Sequence, residues 1–397
     1  MLKEDIQNRI DKNYNFKFNQ NAQNLELYPY FNEVSTASSP VIKVNGANML
    51  NFGSNNYLGL TTHEKVLSES IASLKKYGSG VTGSRLLNGT LDVHKKLENK
   101  IANFYNKEAS LVFPTGYTTN LGLLSSLLTS EDIAIIDAQI HASVYDGLRQ
   151  ARCTIRSFKH NNIEDLEKTI MSCKIKPTVC VVEGLYSMFG DAGNIKAICG
   201  ICEKYSITLI VDEAHSVGVL GNKGRGAAEL QQVMDKVDVF TITFSKSLGS
   251  CGGAIVGPKK IIEFVKVNAK PFLFTAGNTP ASLTSALTCL NLLDANPSFI
   301  KELHQKKDFL IALLKEKGIT PLSKDGPIIS LALGNDDQVI TTWKKLMDKR
   351  VFCNPVLFPA VKKGKGLIRL SIMRTHTIEQ LKLLVSSLES VIQSNTI

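Results

Sequence analysis

The strongest constraint on the fold of this chain is a rhythm of short apolar runs. "SLVF" (110–113), "IAII" (133–136), "TVCVV" (178–182), "ITLIV" (207–211), "VFTITF" (239–244) and "GAIVG" (253–257) recur, separated by helical stretches such as "TNLGLLSSLL" and "NIKAICGICEKY". The runs are rich in Val and Ile and show no polar alternation. A strand without a polar face is covered on both sides, which is the condition of a mostly parallel sheet between helical layers. The expected fold class is therefore α/β with a mostly parallel central sheet. Before it, residues 1 to about 35 read as a polar helical arm. "PVIKVNGANMLNF" then reads as a hairpin turning at Asn45-Gly46, the pair that suits a type I′ turn. After it, "LNLLDANPSFIKELHQKKDFLIALLKEKG" reads as two helices broken at Asn296-Pro297, followed by a smaller α/β segment. The expected division is an arm and hairpin over 1–50, a large domain over 51–286 and a small domain over 287–397.

A parallel sheet gathers the carboxyl ends of its strands on one edge, where doubly wound folds bind ligands. Several of the runs end in residues that carry chemistry. "IAII" leads to Asp137 and His141, "TVCVV" to Glu183, "ITLIV" to Asp212 and His215, and "VFTITF" to Ser245 and Lys246. A lysine held between an apolar strand and a glycine-rich return is partly desolvated, which lowers its pKa and frees the amine as a nucleophile. That is what a Schiff-base lysine needs. Asp212 is the matching carboxylate for the pyridine nitrogen of pyridoxal 5'-phosphate, keeping it protonated so that the ring can accept carbanion electrons. His215 is placed to reach the phenolic oxygen and His141 to lie over the ring. Thr243, Ser245 and the Thr115-Gly116-Tyr117 turn before a helix offer donors to the phosphate. Each residue alone could be a helix cap or an ordinary core histidine. Their order, each at a strand end, points to one pocket.

A competing signal lies in "YGSGVTGSRLLNGT" (77–90), which contains G-x-G-x-x-G. A dinucleotide-binding turn needs a strand before its first glycine, whereas "HEKVLSESIASLKKY" has helical spacing. No P-loop motif is present either. The net charge of +10 includes no run of five basic residues, which argues against a nucleic-acid partner. It leaves open a preference for anionic small molecules or a peripheral contact with an anionic membrane. Cys199 and Cys202 form a C-x-x-C inside an amphipathic helix, with no second pair to complete a zinc site; they read as buried, reduced thiols. The first residues lack an apolar signal core, and no apolar run approaches the roughly 20 residues needed to span a bilayer, so a cytoplasmic location is expected.

Together, "TGYTTN", "HASVYDG", "EGLYSMFGD", "VDEAHSVGVLG" and "TFSKSLGSCGG" resemble the α-oxoamine synthases, fold-type I pyridoxal phosphate enzymes that condense an amino acid with an acyl thioester and release carbon dioxide. The resemblance runs from about Asn51 to Thr377. It implies an aspartate-aminotransferase-like fold, a homodimer with shared active sites, and these roles. Lys246 is the Schiff-base lysine, Asp212 the partner of the pyridine nitrogen and His215 that of the phenolic oxygen. His141 stacks on the ring, and Ser187 lies near the same oxygen. Gly116, Tyr117 and Thr243 serve the phosphate, and Thr275 reaches it from the other subunit. Arg369 grips the amino-acid carboxylate, for which a forked guanidinium is suited. Asn56 belongs to an active-site turn, and Ser84 and Arg85 become candidates for acyl-side contacts in the neighbouring site. Within the family the chain is most similar to the soluble bacterial serine palmitoyltransferases, at "GSGVTGSRLLNGT", "HNNIEDLEK" and "RLSIMRTHT". The implied reaction joins L-serine to a long-chain acyl-CoA. Lys362, Lys363 and Lys365 are candidates for the thioester carrier. Other amino acids and acyl chains, as used by 2-amino-3-ketobutyrate CoA ligase, 8-amino-7-oxononanoate synthase or α-hydroxyketone signal synthases, stay open. So does a fold-type I aminotransferase or aldolase.

Overall fold

A computed structural model describes residues 3–25 and 27–393. The apolar runs become the strands of a seven-stranded sheet. In chain order after the hairpin strands β1 (Val41–Val44) and β2 (Ala47–Asn51), they are β3 (Ala109–Phe113), β4 (Ile133–Asp137), β5 (Thr154–Phe158), β6 (Val179–Glu183), β7 (Thr208–Asp212), β8 (Val239–Thr243) and β9 (Gly253–Gly257). The spatial order is β3-β9-β8-β7-β6-β4-β5. Pairing is parallel from β8 through β7, β6 and β4 to β5, and β9 alone runs antiparallel to both its neighbours. Alternate residues of each inner strand enter opposite cores. Ile135, Cys180, Val182, Leu209 and Val211 face one, and Ala134, Ile136, Val181 and Ile210 the other. Both faces are dry, which is why the runs show no alternation. Burying each such aliphatic side chain stabilises the fold by about 1.5–3 kcal/mol.

The edge strand β5, "TIRSF", was not among the expected runs. It pairs only with β4, and most of its side chains are exposed or half-exposed, so it carries polar residues. The hairpin forms as expected. Val44 pairs with Ala47, and both turn residues have positive φ, 46° at Asn45 and 81° at Gly46.

The remaining strands are β10 (Ile328–Gly334), β11 (Val351–Phe352), β12 (Asn354–Val356) and β13 (Gly366–Ser371). β13 lies between β10 and β12 in a second, antiparallel sheet. β11 pairs with β2, so the hairpin is joined to the C-terminal part of the chain. Position 286 falls inside the helix Pro280–Ala295. That helix is bonded to the helix Glu64–Tyr77 through Ser70–Ser285 and Ser73–Thr284, which ties it to the large sheet's unit. Hydrophobic spacing locates a helix but not the neighbours it packs on, and the division expected at 286/287 reflects that.

Candidate active site

The carboxyl ends of β4, β6, β7 and β8 lie along one edge, and a cavity of about 320 Å³ opens there. Gly116, Tyr117, His141, Asp212, His215, Thr243, Ser245 and Lys246 all line it. Glu183 and Asp212 are register partners on adjacent strands, so two carboxyls stand side by side at its floor.

Asp212 is buried and fixed. Its Oδ1 accepts from the N–H of Ala214 (2.9 Å) and its Oδ2 from Asn120 Nδ2 (2.7 Å). The same Asn120 amide donates to Ser143 Oγ (2.9 Å), which lies 2.8 Å from His141 Nδ1. Asp212 and His141 are thus braced by one chain of bonds. Burial and the charge of Asp212 hold the Glu183 carboxyl well above the usual carboxylate range, and its Oε1 has no partner among the described residues. Burial also lowers the Lys246 amine to about 8, against the opposing pull of Asp212 and Glu183. A fraction of it is free amine near neutrality, the state a nucleophile requires.

His215 is kept neutral by burial, with Lys246 and Arg369 adding to the effect. Its Nδ1 lies 2.8 Å from the hydroxyl of Tyr57. Arg369 Nη2 donates to that hydroxyl (3.3 Å) and to Asn55 Oδ1 (3.0 Å). The Tyr57 hydroxyl also donates to Asn55 Oδ1 (3.1 Å), so its hydrogen has two acceptors in reach, Asn55 Oδ1 and His215 Nδ1. Arg369 sits in the middle strand of the second sheet, buried, and also donates from Nε to the Ser187 carbonyl (2.6 Å) and from Nη1 to Ser371 Oγ (3.2 Å). It does not line the cavity itself. Tyr57 and His215 connect it there.

The other end of the cavity is the start of the helix Gly116–Leu127, capped by Thr115. The first N–H groups of a helix have no partner within it and attract anions. Thr243 Oγ1 and Ser245 Oγ, 2.9 Å apart, face this end. A Cβ at Gly116 would fall 2.8 Å from Thr243 Oγ1, so glycine is needed for the approach.

Three expected residues behave otherwise. Asn56 is spent on structure: its amide donates to the Ser38 carbonyl (2.9 Å) and Thr61 Oγ1 (2.8 Å), and its Oδ1 accepts from Leu60 N–H (3.1 Å). Arg85 is a buried ion pair with Glu98 (2.9 Å), with further bonds from Nε to Thr90 Oγ1 and from Nη1 to the Val112 carbonyl. Ser187 does not line the cavity and enters the site through its backbone. Thr275, expected to serve the other subunit, does not line it either. It lies beside Ala276, whose backbone bridges to Ser84, so Ser84 and Thr275 lie close to each other outside the cavity wall.

Sequence reasoning missed Asn55, Tyr57 and Asn120. Asn120 was findable, because it follows Gly116 by four residues and so occupies the same helix face. Asn55 was missed by one position in "NNYLGL". Nothing local marks Tyr57.

The residue set fits pyridoxal phosphate. An anion cradle lies at one end and a fixed carboxylate at the other, and a histidine and a low-pKa lysine stand between them. The buried Glu183 oxygen without a partner lies in the same wall.

Comparison with known proteins agrees. The family model "Aminotransferase class I and II" matches residues 47–388. A serine palmitoyltransferase of Bacteroides thetaiotaomicron is 38% identical over 363 residues, covering 91% of this chain and 92% of its own length. A putative 8-amino-7-oxononanoate synthase of Acetivibrio thermocellus is 33% identical over 369 residues, covering 93% and 95%. Among solved structures, a lysine-to-alanine variant of serine palmitoyltransferase from S. paucimobilis with a bound PLP–myriocin aldimine superposes with a TM-score of 0.92 at 32% identity, covering 96% of this chain and 97% of that one.

Proposed function

The chain belongs to the aminotransferase class I and II family, within it to the α-oxoamine synthases, and from that premise we propose that it condenses L-serine with a long-chain acyl-CoA, releasing carbon dioxide and CoA and forming 3-ketosphinganine. The observation that carries this reading is the grouping of Lys246, the braced Asp212 and the anion cradle in one cavity, with a buried arginine wired to it. Pyridoxal phosphate, when bound, supplies an electron sink for the carbanion at the amino acid's α-carbon. Gly116 and Tyr117 N–H, Thr243 and Ser245 would hold its phosphate. Asp212, immobilised by Asn120 and Ala214, would be the carboxyl that faces the pyridine nitrogen. His141 would cover one ring face, and His215, held 2.8 Å from the Tyr57 hydroxyl, would face the phenolic oxygen.

Lys246 has two duties. With the cofactor bound, its amine would hold the aldehyde carbon, and its Nζ would be the base that takes the amino acid's α-proton; a pKa lowered to about 8 leaves part of the amine free near neutral pH. Arg369 orients the substrate carboxylate, and its bond to the Ser187 carbonyl sets the direction of the guanidinium. We further propose a homodimer in which Thr275 serves the partner's phosphate site. Support comes from the exposure of Leu86, Leu87 and Phe274 on the face that carries the Ser84–Ala276 bridge.

The test is borohydride trapping followed by denaturation and mass spectrometry, together with carbon dioxide release from serine, glycine, alanine and threonine against a panel of acyl-CoAs. Serine with a long-chain acyl-CoA should be preferred, and Lys246→Ala should abolish both trapping and turnover. Turnover without a thioester would instead indicate an aminotransferase or aldolase. Preference for alanine would favour the 8-amino-7-oxononanoate synthase branch, to which the 33% identical relative speaks.

A further inference from the structure

The segment "HNNIEDLEK" and the loop "GLYSMFGDAG" (184–193) lie far apart in sequence and meet at one side chain. His160 follows the edge strand β5. Its Nδ1 is 2.9 Å from Asp137 Oδ1, at the end of β4, and its Nε2 is 2.8 Å from Asp191 Oδ2, in the loop. Both partners are carboxylates, which accept and do not donate when ionised. A neutral imidazole has one N–H and can serve only one of them, so both bonds require the ring to carry two hydrogens. The ring stands edge-on to Tyr186, 4.4 Å between centroids, which packs it within the loop. Burial works against the charge, but the bonds to Asp137 and Asp191 outweigh it and lift the histidine to about 9. Asn161 completes the fastening. Its N–H donates to Asp137 Oδ2 (2.9 Å), and its amide donates to Asp191 Oδ2 (2.9 Å) and the Ala192 carbonyl (3.0 Å).

The far side of the loop is spent on the second sheet and on Arg369. The Ser187 carbonyl takes Arg369 Nε (2.6 Å), the Met188 carbonyl takes Ser330 Oγ (2.5 Å), and the Gly190 carbonyl takes Ser323 Oγ (2.9 Å). Gly190 has φ of 78°, and a Cβ there would sit 2.3 Å from the Ile328 carbonyl, so the loop is pressed against β10. The loop is therefore a bracket between the large sheet and the arginine, and His160 is the charged group at its root.

We propose that His160, as an imidazolium bonded to both Asp137 and Asp191, is a positioning residue: it locks the 184–193 loop so that the Ser187 carbonyl aims Arg369 at the substrate carboxylate. This rests on the reading of Arg369 as the carboxylate anchor. His160 touches neither cofactor nor substrate, so its effect falls on amino-acid binding.

The test uses the cofactor-loaded protein and His160→Gln, whose two N–H donors share one uncharged nitrogen and cannot replace charged donors at opposite edges of a ring. Serine KM should rise about tenfold, with kcat and the thioester KM changed less than about threefold, and amide exchange across 184–193 should quicken about tenfold. An unchanged serine KM, or a loss confined to kcat, would overturn the proposal, as would unchanged exchange. Nitrogen NMR of the His160 ring in the parent protein needs no variant to fold: both ring nitrogens should be protonated at pH 7.5, and a neutral ring would refute the clamp. Exchange and NMR need no substrate. A parent protein that turns over no serine would thus count against the assigned reaction while leaving the clamp itself testable.

Discussion

At the scale of single residues, the same side-chain type serves opposite ends in this molecule, and its partners decide which. Arg369 and Arg85 are both buried cations. Arg369 spends its bonds on neutral oxygens, those of Ser187, Asn55, Tyr57 and Ser371, and its charge is left without a carboxylate among these partners. A substrate carboxylate can supply one. Arg85 already has Glu98 at 2.9 Å, and that carboxylate also accepts from the N–H of Val112 (3.2 Å). Breaking a buried pair from one side costs up to about 3–5 kcal/mol, and Lys95, 3.3 Å from Glu98, offsets part of that here. Arg85→Ala should lose stability within that limit in denaturant titration while leaving both substrate KM values unchanged at temperatures where it stays folded. A raised thioester KM with normal stability would return Arg85 to the binding machinery. The sequence names both arginines as candidates. It cannot say that Glu98, thirteen positions further on, is the partner, because that pairing depends on how the following helix folds back.

At the scale of elements, the site is a set of ends: four strand termini and one helix start. Those ends were legible because apolar runs stop where a polar residue is tolerated. The register that sets Glu183 beside Asp212 was not, and neither was the polar edge strand β5, whose side chains face solvent. The helix start depends on close packing. Gly116 lies against Thr243, and Gly253, whose own Cβ would come within 2.9 Å of Gly116 Cα, closes the other side. Gly116→Ala should push the helix away from Thr243 and weaken pyridoxal phosphate binding about tenfold, measured by cofactor titration, with unfolding shifted little. An unchanged cofactor Kd would show that the cradle has slack.

At the scale of the whole molecule, three features share one surface. The loop "YGSGVTGSRLLNGT" leaves a helix at Gly78 and is pinned by the bond from Gly277 N–H to the Gly83 carbonyl (3.0 Å). It exposes Leu86 at 56% and Leu87 at 80%, close to Phe274 at 76%. Exposed apolar side chains gathered in this way mark a contact surface. The double variant Leu87→Asp/Phe274→Asp should sediment as a monomer, keep its circular dichroism and lose activity with Thr275 removed from its partner. A parent protein that sediments as a monomer at assay concentration would end the shared-site reading. No helix among the described residues is long and apolar enough to cross a membrane.

The sequence by itself determined the layered α/β class, the hairpin turn, and the strand ends that supply Asp212, His215 and Lys246. These follow from local rules: two-sided burial removes polar alternation, positive φ favours Asn-Gly, and polar residues collect where strands leave the core. Tertiary structure alone decided which polar groups are free. Asn55 rather than Asn56 meets Arg369, Asn120 braces Asp212, Arg85 is consumed by Glu98, and His160 joins two distant aspartates. Hydrogen bonds and ion pairs act over about 3 Å in space and are indifferent to separation along the chain, so only the folded backbone can assign them.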